Sequence, residues 1–432
     1  MKHQRRPVIV LAILALFLMA SPAIAQQSQT EIEDITADVS EVRQLPEQHP
    51  IALTVISRDE LREDYRGLIE SDYPKDEQYA DMREMLAFGL IDEPMDLGDL
   101  YSELYGEQVL GYYDSETGKM VVVRDNDQSG AFTAMEQVTY AHEIVHALQD
   151  QNFDLDSGEL GRTDVSDDRS LAVTALIEGD ASFTEVRYII ERPSLLDAYL
   201  AEAENAEFDT SSLDAAPFII SDTLLFPYNQ GYTFVEAIYN DGGFSAVDAA
   251  FQNPPASTEQ ILHPEKYLAG EQPIDVQVND FSGALGDDWT VWDTNTYGEY
   301  QIQVILQNSS MSDQQAEVAA SGWGGDTYVV AGTEDEDAIH WVTVWDTEQD
   351  ADEFARAWAL REAERWGVDP VFVDANVIEF HTDEAFVRIT IEGDTVEYLM
   401  APDEATAETM LAAPPATPEA SPVASPVASP AS

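Results

Sequence analysis

Residues 133–151 read TAMEQVTYAHEIVHALQDQ, a run of 19 positions without glycine or proline. That run predicts a helix. At its middle stands His142-Glu143-Ile144-Val145-His146. Two histidines four residues apart lie one turn apart on one helix face, so both imidazoles can reach a single cation. Glu143 projects beside them, where a carboxylate can take a proton from metal-bound water. With 7 histidines in 432 residues, such a match arises by chance in about one chain in a hundred of this kind.

A catalytic zinc usually has three protein ligands and an open position for water. The chain has no cysteine. The third ligand therefore comes from His, Asp, Glu or backbone. The other histidines after the N-terminal segment are His49, His263, His340 and His381. A carboxylate is the natural candidate, and the best one is Glu178 in Ala175-Leu176-Ile177-Glu178-Gly179-Asp180-Ala181. It interrupts an apolar stretch on the next predicted helix, where a lone buried carboxylate is costly unless it meets a cation. The competing reading is a helix carboxylate at a solvated edge.

His142–His146 followed by Glu178 on the next helix resembles the gluzincins, the His₂Glu zinc metallopeptidases that include the thermolysin-like enzymes. More narrowly, TYAHEIVHALQDQ (139–151), EGDA (178–181) and STEQILHPEKY (257–267) are similar to a group of bacterial and archaeal proteins described only as metallopeptidases. The resemblance covers roughly 105–270, with a weaker echo at Gly322-Trp323-Gly324-Gly325-Asp326 and Val344-Trp345-Asp346. It implies a zincin-like fold, with a small mixed sheet over the active-site helix, an edge strand facing the substrate, and a helical second part carrying the third ligand. It also implies Zn²⁺ on His142, His146 and Glu178, with Glu143 as the base. The chain departs from the thermolysin-like pattern around Glu178, where Ile177 and Ser182 stand in place of an Asn and an Asp.

Zincins often add a Tyr or His that hydrogen-bonds the oxyanion. The candidates are His263, Tyr228 and Tyr232. The alternatives are a loop histidine satisfied by backbone, and packing for the tyrosines. Asp150, one turn after His146, can orient a ligand histidine or simply be a helix-end charge. Asp180 lies about 200° round the helix from Glu178 and is not assigned to the metal. Asp125, Asp127, Asp154 and Asp156 are read as loop acidity, with calcium as the alternative.

Outward from this centre, Ile51 to Ser57 is strand-like, helices are expected at 76–92 and 97–106, and a hairpin is expected at 109–123. A second helix spans about 167–191, and mostly helical sequence follows to 252. From about 285 the chain alternates strand-like runs (Tyr300 to Leu306, Thr327 to Ala331, Trp341 to Trp345, Val371 to Phe380, Ala385 to Leu399) with a helix at 349–366. The expected organisation is a signal peptide at 1–25, a linker or short lead-in at 26–48, a zincin-like domain at 49–280, a small C-terminal α+β domain at 285–400, and a disordered Pro/Ala/Ser-rich tail at 401–432. The fold class is α+β. The signal peptide rests on Lys2, Arg5 and Arg6, the apolar run Val8 to Ala20, and Ala23 and Ala25 at the cleavage site. Export follows from it, with no membrane span in the mature chain.

Against 84 acidic side chains stand only 20 basic ones, a net charge of −64. That opposes nucleic acid and anionic membrane as partners and suits a solvated surface. The expected function is a secreted zinc metallopeptidase acting on a peptide or protein substrate. The alternatives are a non-catalytic binding protein on a zincin scaffold and a zinc hydrolase of another bond.

Overall fold

Ile32, Ile35, Val39 and Val42 recur at helical spacing among acidic neighbours, and all four are buried. They form the inner stripe of helix α1 (Pro22–Arg43). The expected linker at 26–48 is therefore corrected. Its acidic surface hides a narrow apolar stripe that packs on the core. The computed structural model describes residues 22–413 apart from 109–110, 116, 125–130, 207–209 and 279–280. Nearly all of the expected signal peptide, the tail beyond 413, Asp125 and Asp127 lie outside the described residues.

The first sheet has three strands, β1 (Ala52–Ile56), β2 (Gly111–Asp114) and β3 (Lys119–Val123), in the order β1-β3-β2. β1 runs parallel to β3 and β2 antiparallel, so the sheet is mixed and β2 is an edge. Between β1 and β2 the chain makes α2 (Arg58–Asp72), α3 (Lys75–Phe88) and α4 (Leu97–Gln108). Successive residues of β3 face opposite sides, as the period of two requires. Met120 and Val122 pack with α1 and with α5 (Ala134–Phe153), while Val121 and Val123 pack with Leu61 and Tyr65 of α2.

A helical layer follows: α6 (Asp167–Ile190), α7 (Pro193–Ala203), α8 (Ser211–Ala215), α9 (Phe218–Gly242), α10 (Phe244–Gln252), α11 (Thr258–Leu262), α12 (Pro264–Ala269) and α13 (Ser282–Leu285). α6 and α9 cross at two glycines. A Cβ on Gly179 would stand 2.2 Å from the Gly231 carbonyl oxygen, and one on Gly231 would stand 2.1 Å from that of Ala175. Only hydrogen fits at either position, and the crossing fixes how α9 lies over Glu178.

The C-terminal part comprises β4 (Thr290–Asn295), α14 (Gly298–Gln307), α15 (Asp313–Ala320), β5 (Trp323–Gly332), β6 (Asp337–Trp345), α16 (Glu348–Trp366), β7 (Val371–Phe372), β8 (Val377–His381), β9 (Phe386–Glu392), β10 (Thr395–Ala401) and α17 (Glu404–Leu411). Its seven strands are ordered β4-β5-β6-β10-β9-β8-β7, with every pair antiparallel. Two expectations are corrected here. Tyr300 to Leu306 is helix α14, because a short apolar run reads alike as a buried strand or a buried helix. Residues 401–413 are not tail: α17 buries Ala407 and Met410 against Phe281, Phe386 and Leu399.

The main core crosses the expected domain boundary. Phe88 of α3 meets Tyr297, Tyr328, Trp341 and Trp358 edge-on. Together these layers make an α+β protein. No described helix is long and apolar enough to cross a membrane.

Candidate metal centre

α5 begins at a capping box, in which Thr133 accepts from the Glu136 amide and Glu136 returns the bond to the Thr133 amide. Glu202 of α7 accepts the next two free amides, from Ala134 at 3.0 Å and Met135 at 2.9 Å. The first turn is thus fully tied down. Tyr140, Ala141, Ile144, Val145, Ala147 and Leu148 are all fully buried. His142 and His146 occupy the side that faces α6.

The two imidazoles converge on one carboxylate. His142 Nε2 lies 3.1 Å and His146 Nε2 3.3 Å from the same Glu178 oxygen. One ligand atom from each of the three residues falls within 4.8 Å of the others. Both histidines are held at their second nitrogen. His142 Nδ1 is 3.1 Å from Glu185 Oε2, and His146 Nδ1 is 2.9 Å from Gln149 Oε1. Burial opposes charge on His142, but its bonds to Glu178 and Glu185 outweigh that and raise its pKa well above the usual value. His146 is raised in the same way by Glu178 against its burial. Burial alone would raise Glu178, yet the two imidazoles bring it well below the ordinary carboxylate range.

Glu143 faces the edge strand. Its Oε2 accepts the Tyr113 amide at 3.0 Å. The Tyr113 hydroxyl donates to Asp150 at 2.7 Å, so Tyr113 staples β2 to α5 at two points seven residues apart. Burial raises the Glu143 pKa, against the pull of His146 and His142. Asp150 also accepts from the Leu155 amide. It orients Tyr113 and the helix end, not a ligand histidine.

Tyr228 joins the site from α9. Its ring lies nearly parallel to that of His142, with centroids 6.1 Å apart, and it is half exposed. The Glu178 charge, then burial, then Glu143 push its hydroxyl pKa well up. Pro227 just before it removes one bond from the helical ladder. Tyr232 packs on Phe183 at 5.7 Å and serves the core.

His263 does not join the site. Its Nε2 is 2.8 Å from Glu299 on α14, beside the network of Thr258 and Asp168. Asp168 is ten residues before Glu178 on α6, about 15 Å along the helix. Asp156 accepts from Ser115, and among the described residues Asp154 and Asp156 belong to no three-ligand cluster. A cavity of about 400 Å³ between α9 and α14, lined by Phe218, Asp222, Leu225 and Tyr300 among others, contains none of the metal-centre residues.

The sequence reading missed Glu185, Gln149 and Arg43, and set Asp180 aside. Two of these carried a signal. Glu185 is seven residues after Glu178, on the same face, and Gln149 is three after His146. Asp180 indeed avoids the metal cluster, but it accepts from Gln149 at 2.9 Å.

Residues 290–411 match a family described as a domain of unknown function (DUF8575). They run from β4 to α17 and include no residue of the metal centre. No curated protein matches the chain. Among solved structures, a chain from Chloroflexus aurantiacus described as "a putative hydrolase with a novel fold" is 16% identical, with a TM-score of 0.37. That match covers 58% of this chain and 92% of the other. A likeness so distant carries neither fold nor activity to this protein.

Proposed function

We propose that this protein is an exported zinc-dependent peptidase, with His142, His146 and Glu178 as the zinc ligands and Glu143 as the general base. The observation that carries the reading is the convergence of two imidazole Nε2 atoms on one Glu178 oxygen, at 3.1 and 3.3 Å. Tetrahedral zinc with ligands at about 2.0–2.1 Å spaces them about 3.3–3.4 Å apart. The donor set, two imidazoles and a carboxylate, suits zinc. A zinc ion bound there supplies Lewis acidity, polarising a carbonyl and making water a stronger acid.

The chain's own residues do the rest. Glu143 stands beside the ligands without sharing their contacts. It takes the proton of the attacking water and returns it to the leaving amine. The Tyr228 hydroxyl, carried by a ring that lies beside His142, donates to the oxyanion. Among the described residues β2 pairs with β3 alone, and the Tyr113 amide, turned away from β3 to Glu143, marks its other edge. An extended peptide can add there as a further strand, with Gly111 on the same side by the period of two.

The test is metal analysis of the purified chain paired with digestion of a casein-type substrate. The expected result is about one zinc per chain and hydrolysis that a chelator stops and zinc restores. Hydrolysis indifferent to chelation, or a chain that takes up no zinc, overturns the reading.

A further inference from the structure

Gln149 is completely buried between α5 and α6. Its amide nitrogen donates to the Ile177 carbonyl at 3.0 Å and to Asp180 Oδ2 at 2.9 Å. Both amide hydrogens are thereby used on groups that can only accept. Oε1 is left to face His146 Nδ1, at 2.9 Å. An amide oxygen cannot donate, so Nδ1 carries a hydrogen, and in the neutral imidazole that leaves the Nε2 lone pair for a metal. A flipped amide would set oxygen against two oxygens.

Asp180 stays an acceptor because a cation is built onto it. Arg43 Nε lies 2.6 and 2.9 Å from its two oxygens, and both side chains are 0% exposed. Arg43 Nη2 is 2.8 Å from Asp248 on α10, and the guanidinium sits 4.6 Å above the Phe244 ring. Arg43 is the last residue of α1, 137 positions before Asp180.

We infer that Arg43, Asp180 and Gln149 form a positioning relay that holds His146 in the tautomer whose Nε2 can take a metal. This rests on the zinc reading of His142, His146 and Glu178. It makes the C-terminal end of α1, through Arg43, a working part of the metal centre. None of the three residues touches the metal position. Each acts through the next.

The experiment is a zinc-affinity cycle on the full chain, read by competition with a chromogenic chelator. Asp180→Asn keeps the size but sets an amide NH₂ against either Arg43 or Gln149. Gln149→Met keeps the volume and removes the acceptor. Each is expected to weaken zinc binding about 10–100-fold, as loss of a ligand's supporting bond typically does. The double variant should bind no more weakly than Gln149→Met alone, since Asp180 acts only through Gln149. Losses from independent structural damage multiply. Arg43→Met should follow Asp180→Asn. If it does not fold, the Asp180/Gln149 cycle still decides. In the zinc-loaded wild type, long-range ¹H–¹⁵N correlation should place the His146 hydrogen on Nδ1. Multiplied losses, an unchanged affinity in Asp180→Asn, or a hydrogen-free Nδ1 overturns the relay while leaving the zinc reading intact. A wild type without zinc affinity overturns both.

Discussion

Glu178 and Glu259 are both buried or nearly buried carboxylates in groups of three potential ligands, and the fold answers them differently. Glu259, Glu271 and Asp346 surround Lys266, whose Nζ lies 2.6, 2.8 and 2.7 Å from them. Burial alone would lower the Lys266 pKa, but its bonds to Asp346, Glu259 and Glu271 hold it well up, so a protein cation fills that group. Around Glu178 the ion-pair partners are two imidazoles, each bonded at Nδ1 and turned inward at Nε2. One cluster carries its own positive charge. The other gathers two imidazole nitrogens and a carboxylate oxygen about a common point, with no lysine or arginine bonded to them among the described residues. Asp168 is a third case, buried against Thr258, with no lysine, arginine or histidine bonded to it among the described residues. A buried carboxylate needs a metal, a basic side chain or a proton, and this molecule contains a candidate for each.

The contrast breaks most sharply at the ligand itself. Glu178→Ala is expected to remove stoichiometric zinc and all hydrolysis, whereas Lys266→Met should leave zinc content at one per chain. Elemental analysis after gel filtration reads both. Zinc retained in Glu178→Ala would make the two clusters equivalent. Glu143→Gln separates chemistry from binding within the first cluster. General-base catalysis is worth about 10²–10⁴ in rate, so kcat should fall by that order with zinc unchanged. Loss of zinc along with activity would make Glu143 a ligand or a brace.

How much of this could be read from the chain depends on range. His142, Glu143 and His146 are local, four positions of one helix, and their spacing alone states what they can do. Glu178 was legible because a charge broke an apolar run. Arg43 was not, since nothing near it in sequence announces Asp180. The same holds for Lys266. The HPEKY stretch resembled a motif, but its lysine and the Asp346 of Val344-Trp345-Asp346 make sense only when α12 meets the end of β6. α14 was misread as a strand because Tyr300, Ile302, Val304, Ile305 and Leu306 are buried nearly all round, and full burial erases the periodicity that tells helix from strand. α1 was misread for the opposite reason, a thin stripe under abundant acid.

Lys266→Met sharpens the second half of the comparison. Removing the ammonium leaves three carboxylates facing one another. The protein should lose about 1–3 kcal/mol, less than for a fully buried pair because Lys266 keeps some solvent contact. Added Ca²⁺ should raise the melting temperature of the variant and not of the wild type, because an all-oxygen cluster freed of its lysine suits a hard cation. An equal calcium response in both proteins would place the ion elsewhere.

The smallest expected effect tests the proton as the third solution. Burial raises Asp168 to about 8 from an ordinary 3.8, against the Thr258 hydroxyl and amide bonds that lower it. A carboxyl raised on folding binds its proton more tightly in the native state. Its contribution is therefore present in full below about pH 4 and is lost as pH rises through about 8. Asp168→Asn imitates the protonated acid at every pH, and its Oδ1 can still accept from Thr258. The variant-minus-wild-type difference in melting temperature should thus climb between about pH 4 and pH 8 and level off above, starting near zero or slightly negative. About 15 Å of helix separates Asp168 from Glu178, so titration of the metal centre should cancel from the difference. A flat difference would mean that Asp168 is ionised in the folded chain and that a cation, not a proton, answers it.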